Sequence, residues 1–583
     1  MPTFTSGNDT YTVNSAGTYN LDLLEGDDRL NVYAGDSVTA HMGAGNDLVV
    51  LKAALNTIYG DAGADRFDVY VANAILDGGA DNDTFNIRAN VNLSAHGGLG
   101  ADRFNFYADA LDVSLYGDDG NDTFYGYNHT IAGNVYGGVG NDYFVQFGNR
   151  DGQVVTLYGG LGNDIYRADA SSPATFVENA LEGTDTVQVA RGASYTLPTN
   201  IENISVQGFS GSSSGTAATL TGNASNNSIV AHNNVETIYG LDGNDKISAK
   251  GGDDTLHGGI GNDYLDGGTG NDTIYGNAGN DTLQGRGGDD TMVGGTGDDV
   301  YYIDSYGDVV GEYVSEGTDL VRVITTIGGF SYTLPDNVEN IILSSTMTMD
   351  SIHGNALANS ITGGAGSDYL YGDDGADTIK GGAGWDNIYG ENGNDNLQGG
   401  SGTDWIEGGI GNDTIDGGDD GDIVLGGDGL DTVYGGAGDD QVSGDANEDI
   451  VDGGAGNDLV RGGGDSDTLT GGSGEDTFYY GSTDDSHYIP DQITDFLSVS
   501  GTGGDKFDFS AIDADTATAG DQAFAYSTNV AAAHSIWYGN VVDNGDGTYE
   551  VTVYGDVNGD TNPELTIQVH FLSPGLYSDD LIL

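Results

Sequence analysis

Apolar positions return along this chain at a fixed step. From Gly258 to Gly285 it reads GGIGNDYLDGGTGNDTIYGNAGNDTLQG, so the phrase Gly-Gly-x-Gly-x-Asp-x-apolar-x recurs every nine residues. Leu265, Ile274, Leu283 and Met292 hold the apolar place, and Asp263, Asp272 and Asp281 the acidic one. Helix signals are nearly absent, and short β-branched runs bounded by glycine predict strands joined by tight turns. Two phrases make one coil of 18 residues, with its two strands on opposite sides of a thin core. A single coil buries almost nothing, so stability must come from stacking coils about 4.8 Å apart.

Two blocks keep this step without a slip. One places aspartates at Asp245, Asp254, Asp263, Asp272, Asp281, Asp290 and Asp299. The other places them at Asp368, Asp377, Asp386, Asp395, Asp404, Asp413, Asp422, Asp431, Asp440, Asp449, Asp458, Asp467 and Asp476. The N-terminal third has a longer rhythm, with Asp9, Asp28, Asp47, Asp65, Asp83, Asp102, Asp122, Asp142 and Asp164 each ending a turn, 18 to 22 residues apart. Each period is expected to be one coil that keeps the acidic turn on one side only. Between these regions lies a duplicated insert: EGTDTV, YTLPTNIENI and GNASNNSI in one copy, and EGTDLV, YTLPDNVENI and GNALANSI in the other. The organisation is therefore read as 1–164, divergent coils; 165–241, irregular insert; 242–299, strict block; 300–367, second insert; 368–479, strict block; and 480–583, a C-terminal β-rich region. In that last region VDNGDGTYEV carries hairpin turn signals.

Composition changes the question from fold to counter-charge. The 583 residues hold 92 Asp and Glu against 15 Lys and Arg, a formal charge of −77. A compact chain of that charge repels itself unless cations sit among the carboxylates. With so few basic groups it is not expected to bind nucleic acid or an anionic membrane surface. There is no cysteine to staple it, no run long enough to span a membrane, and no signal-peptide pattern in MPTFTSGNDTYTV.

The turn supplies what the charge demands. Gly258, Gly259 and Gly261, and Gly267, Gly268 and Gly270 in the next copy, permit a sharp turn and leave carbonyls uncovered, while Asp263 and Asp272 add carboxylate oxygen. Carbonyl and carboxylate oxygens from successive turns form a hard-oxygen cage suited to Ca²⁺. The tandem nonapeptide resembles the RTX, or hemolysin-type calcium-binding, repeat. That resemblance implies an all-β fold, a right-handed parallel β-roll or β-helix solenoid with Ca²⁺ in the turns between neighbouring coils. The motif aspartates would be the metal ligands, holding on the order of twenty ions. Without Ca²⁺ the chain should stay unfolded, making folding and metal binding one event. DQITDFLSVSGTGGDKFDFSAIDAD, AFAYS and the final DDLIL resemble the C-terminal end of serralysin-type proteins. This implies a capping region and an uncleaved type I secretion signal ending in Asp580, Leu581, Ile582 and Leu583. Asp556, Asn558, Asp560 and Asn562 stand at alternate positions, either as part of a calcium loop or as a polar turn.

Catalytic signals are absent. There is no H-E-x-x-H, the nine histidines are scattered singly, and GSSSG at Gly211–Gly215 lacks the strand and helix of a nucleophile elbow. The expected protein is a secreted calcium-binding structural protein, not an enzyme. It would self-associate through an open solenoid end into a surface layer, filament or matrix of a Gram-negative bacterium. The alternatives are a monomeric adhesin or polysaccharide-binding protein, with tyrosines such as Tyr301, Tyr302, Tyr369 and Tyr371 against sugars, and a polysaccharide-modifying enzyme on the solenoid face.

Overall fold

The computed structural model describes residues 4–583 apart from 36, 54, 72, 89–91, 128, 148–153, 169–173, 209–216, 325–328, 344–349, 487–488, 500–502, 513, 515–522, 528–529 and 572–575. GSSSG and His487 lie outside the described residues. The described secondary structure is almost wholly strand, with two short 3-10 turns at Thr483–Ser486 and Ser578–Asp580. No helix in it is long and apolar enough to cross a membrane. The chain divides into two compact units, Met1–Gly294 and Gly295–Leu583.

The first unit is a parallel β-solenoid. One sheet begins Thr10–Val13, Arg29–Val32, Leu48–Leu51 and Arg66–Val69 and continues, one strand per coil, to Thr282–Gly287. Facing strands run from Thr18–Asp22 to Thr175–Val177, and again from Tyr195–Thr196 to Thr291–Thr296. Register follows the repeat: Thr10 pairs with Arg29 in the divergent coils and Leu265 with Leu283 in the strict block. Side chains alternate across each strand, so in Thr255–Ile260 Leu256 is buried while Thr255 and His257 are half-exposed. Leu265 and Leu283 lie in one sheet and Ile274 and Met292 in the other, all fully buried. In the divergent coils the same core position carries Phe67, Phe85, Phe104, Phe124, Phe144 and Tyr166. Their rings stack 4.6–5.1 Å apart, close to the spacing of the strands that carry them.

The insert treats the two sheets differently. One sheet passes unbroken through it, Ile165–Ala168 pairing with Thr186–Ala190, then Asn203–Gln207, Ser228–Val230 and Lys246–Ser248. The facing sheet ends at Thr175–Val177 and a new one starts at Tyr195–Thr196.

The second unit repeats the design. Val300–Ile303 pairs with Leu320–Val323, Asn340–Leu343, Ser360–Thr362 and Thr378–Ala383 in turn. A new facing sheet starts at Ser331–Thr333. Strict coils follow up to Thr468–Ser473 and Thr477–Tyr479. Asp491–Phe496 adds in parallel to Thr468–Ser473 and then pairs with Leu565–Phe571. From there the pairing turns antiparallel, Leu565–Phe571 against Tyr549–Gly555, which also forms a hairpin with Val542–Asp543 around Asn544 to Thr548.

Candidate metal centre

The aspartate of each acidic turn sits at the mouth of a strand, held by two ladders. The residue after it donates its N–H to the carbonyl of the aspartate one coil back, as Tyr264 does to Asp245 and Thr282 to Asp263, both at 2.8 Å. Each aspartate also donates its own N–H to Oδ1 of the aspartate one coil on. Asp9 donates to Asp28 at 2.6 Å, Asp245 to Asp263 at 2.7 Å, Asp263 to Asp281 at 2.7 Å and Asp377 to Asp395 at 2.7 Å. The row runs from Asp9 to Asp164 in the divergent coils, where Asp28, Asp47, Asp65, Asp83, Asp102, Asp122 and Asp142 take part in it. Asp254, Asp272 and Asp290 form a matching row on the facing sheet.

These ladders use one carboxylate oxygen and leave the other. Of the motif aspartates, all but the half-exposed Asp9 are buried. Oδ2 is shielded from solvent and accepts no hydrogen bond in Asp28, Asp47, Asp65, Asp83, Asp102, Asp122, Asp142, Asp164, Asp245, Asp254, Asp263 and Asp272 of the first unit. The same holds in the second unit for Asp377, Asp386, Asp395, Asp404, Asp413, Asp422, Asp431, Asp440, Asp449, Asp458, Asp467 and Asp476, and for Oδ1 of Asp368. A buried carboxylate oxygen with no donor is costly, and dozens of them demand a partner.

The glycines show where that partner goes. A Cβ added to Gly258 would lie 2.2 Å from Oδ2 of Asp263 and 2.8 Å from the carbonyl of Gly276, the equivalent glycine one coil on. Gly267 stands in the same relation to Asp272, at 2.3 Å. Gly259, Gly261, Gly268 and Gly270 take positive φ, and at Gly261 a Cβ would meet the carbonyl of Gly243 at 2.0 Å. The turn thus gathers oxygen: an orphaned carboxylate oxygen and, as at Gly258 and Gly261, uncovered carbonyls from neighbouring coils. Ca²⁺ takes six to eight such ligands in flexible geometry, and the residues present fit it. Burial, only partly opposed by the accepted N–H, pushes Asp65 up to about 9 and Asp83 and Asp449 to about 8, against an ordinary value of 3.8. Such groups need either a proton or a metal at neutral pH.

The scarce bases are spent on the outer faces: Arg66 on Asp68, Arg286 on Asp266, His41 on Asp61 and His96 on Asp118. Several histidines stack on tyrosines there, His96 on Tyr116 and His257 between Tyr239 and Tyr275. Such rings cover one another's faces. Tyr301 is fully buried, so it cannot meet a sugar, whereas Tyr369 is exposed. In the C-terminal region Asp556 is buried and accepts N–H groups from Asn558, Gly559 and Thr561, and its carboxylate gathers with those of Asp560 and Glu564. Asn562 donates its N–H to Asp560.

The ladder also recruits residues that the nine-residue step does not mark. Asp164 donates to Asp185, which donates to Glu202. Asp299 donates to Asp319, which donates to Glu339. Asp467 donates to Asp491 and Asp476 to Asp505. For Asp185, Glu202, Asp319 and Glu339 the visible signal is the duplication itself, since EGTD and the E of IENI or VENI recur in both inserts.

Fold and turns together define a class: a parallel β-solenoid whose turns are oxygen cages for a hard cation. The family model of the RTX calcium-binding nonapeptide repeat (4 copies) matches residues 43–69 and 155–171, and overlapping windows over 214–301 and 349–486. Over these residues the chain is built of RTX calcium-binding repeats. No curated protein matches it. Among solved structures it is similar to the AlgE6R3 subunit from the Azotobacter vinelandii mannuronan C5-epimerase, at 24% identity over 30% of this chain and 78% of that one. The TM-score of 0.18 is too low to carry an argument.

Proposed function

We propose that this RTX protein is a secreted structural protein. It leaves the cell calcium-free and unfolded, folds on extracellular Ca²⁺, and assembles on the bacterial surface as a subunit of a layer, filament or matrix. The observation that carries this reading is the row of buried, unsatisfied carboxylate oxygens in each unit. The repeated residues are themselves the metal sites, and folding is their occupation. RTX repeats are typical of secreted proteins, and extracellular calcium is in the range that weak oxygen sites need. Asp580, in the proposed C-terminal signal, is buried and accepts hydrogen bonds from the Ser498 hydroxyl and the Tyr577 N–H. A signal placed there is legible only before the chain folds.

The outer faces support a scaffold over an enzyme of polyuronates. An open groove of about 570 Å³ in the second unit is lined by Glu391, Glu407, Asp428 and Asp445. An anionic polysaccharide would reach it only through bridging cations. The test is electron microscopy of producing cells, and of purified protein with Ca²⁺, before and after chelation. An ordered coat or filament that disappears with the chelator is expected. Discrete monomers at high concentration that bind a glycan array would replace this reading with an adhesin. Epimerised or unsaturated product from alginate would replace it with an enzyme.

A further inference from the structure

Where the divergent coils meet the first insert, the cage changes its chemistry. In an ordinary coil, a Cβ on Gly137 would meet Oδ2 of Asp142 at 2.0 Å and the carbonyl of Gly159, one coil on, at 2.6 Å. At Gly159 itself the atoms nearest that point are Oδ2 of Asp164 and Oε1 of Glu178, each at 2.1 Å, followed by the Tyr166 hydroxyl at 2.6 Å. A carboxylate stands where the turns at Gly137 and Gly258 have a carbonyl. Asp164 is fully buried, and its Oδ2 accepts no hydrogen bond. Asp185 brings a third carboxylate, and one oxygen from each of the three lies within 4.8 Å of the others. The remaining contacts fix the group. Gly160 N–H donates to Oε2 of Glu178 at 3.3 Å, the Tyr166 hydroxyl donates to Oε1, and Asp164 N–H donates to Oδ1 of Asp185 at 2.8 Å. The second unit builds the same group again from Asp299, Glu312 and Asp319, with the Tyr301 hydroxyl on Glu312.

We propose that Asp164, Glu178 and Asp185, and in the second unit Asp299, Glu312 and Asp319, form tri-carboxylate calcium sites. Each is a turn site whose motif aspartate is joined by two further carboxylates, and it fills at lower calcium than the ordinary glycine turns. The proposal rests on the calcium reading of the turns and adds a second class of site to it. Its physical basis is charge. Three carboxylates converge on one buried point, whereas an ordinary turn offers one orphaned carboxylate oxygen and neutral carbonyls. Ligand charge is a main lever on calcium affinity in oxygen sites, and three converging anions, all buried in the first unit and with Glu312 half-buried in the second, repel one another without a cation. The position gives the tight sites a use. Each lies where a regular stack passes into an insert, so the first ions bound order the irregular coils before the turns fill.

The test is a calcium titration of the full-length, calcium-depleted chain against a competing indicator chelator, with native structure at saturating Ca²⁺ checked by far-UV circular dichroism. Wild type is expected to show a small tight class of two ions per chain ahead of a larger weak class. Glu178→Gln keeps an acceptor for Tyr166 and should remove one tight ion or weaken it at least tenfold. Glu178→Gln with Glu312→Gln should remove both. Asp263→Asn should leave the tight class untouched. Tyr166→Phe retains all three carboxylates and should keep the tight ion. If Glu178→Gln does not reach the native spectrum, Asp185→Asn, which keeps Oδ1 for the Asp164 N–H, reads the same loss. An unchanged tight class in these variants, or a loss in Tyr166→Phe equal to that in Glu178→Gln, overturns the proposal while leaving the turn sites standing. Absence of calcium uptake by wild type would overturn the calcium reading itself.

Discussion

The strict blocks and the inserts solve the same backbone problem with different side chains. In a strict coil an aspartate accepts the N–H of its predecessor through one oxygen and leaves the other buried and unpaired, as Asp263 does. In the inserts an asparagine takes that place. Asn227 Oδ1 accepts the Asn223 N–H at 2.7 Å, and its Nδ2 donates to Oδ1 of Asn223 at 3.1 Å. Asn359 behaves alike, its Nδ2 donating to Asn355 Oδ1 and to the carbonyls of Val338 and Glu339. Swapping one oxygen for an amide group turns a turn that needs a cation into one that closes itself. The asparagine accepts an N–H from its own turn rather than from the coil before it, and its amide leaves no orphaned oxygen that requires a metal. The strict blocks are therefore conditional structure, whereas the asparagine turns are satisfied by the chain alone.

The largest effect expected from this contrast is on removal of calcium. At pH 7.4 excess chelator should abolish most of the β signal in circular dichroism and expand the chain in small-angle scattering. A spectrum unchanged by chelation would show that the aspartate turns stand without ions. Next comes pH. The folded-state values of Asp65, Asp83 and Asp449 stand at about 9, 8 and 8, above the ordinary 3.8. A raised folded value means the native state binds protons more tightly than the unfolded one. That stabilisation is fully present below about 3.8 and is lost as pH rises through 8 to 9. In chelator the chain should thus be more structured at pH 5 than at pH 8. With calcium present, acid should instead displace the ions, so the midpoint calcium concentration rises as pH falls. Less structure at pH 5 than at pH 8 in chelator would contradict the burial argument.

A smaller effect separates two glycines of one block. Gly258→Ala forces a methyl group onto Oδ2 of Asp263 and the Gly276 carbonyl, and should cost about 2 kcal/mol together with one ion. At Gly287 a Cβ meets nothing nearer than 3.9 Å, so Gly287→Ala should leave the calcium midpoint within error. Equal effects from the two, in matched calcium and urea titrations, would mean that the cage is not where these oxygens converge. The smallest effect is an exchange across the two regions. Asp263→Asn should lower calcium stoichiometry by one, and Asn227→Asp should raise the calcium needed to fold by creating a new orphaned oxygen. Calorimetric titration reads both, and an unchanged stoichiometry in Asp263→Asn would break the contrast.

How much of this was legible beforehand depends on whether the interaction is periodic. A step of nine residues places Leu265 and Leu283 in one sheet and Ile274 and Met292 in the other, because an in-register parallel stack repeats whatever its coil repeats. The same step puts Asp245, Asp263 and Asp281 in one row, and the charge of −77 says that the row cannot stay bare. The sequence by itself determined the strands, the core positions, the aspartate rows and the need for a hard cation, since all follow from local period and net charge. Tertiary structure alone decided which oxygen of each aspartate is consumed by the ladder and which is left over. It also decided that one sheet runs unbroken through the first insert while the facing sheet stops at Thr175–Val177 and restarts at Tyr195–Thr196, and that Glu178 and Asp185 arrive beside Asp164. Those residues are 14 and 21 positions from Asp164, outside the nine-residue step. Their meeting is set by how irregular coils settle into register on the regular ones, and no period along the chain records that.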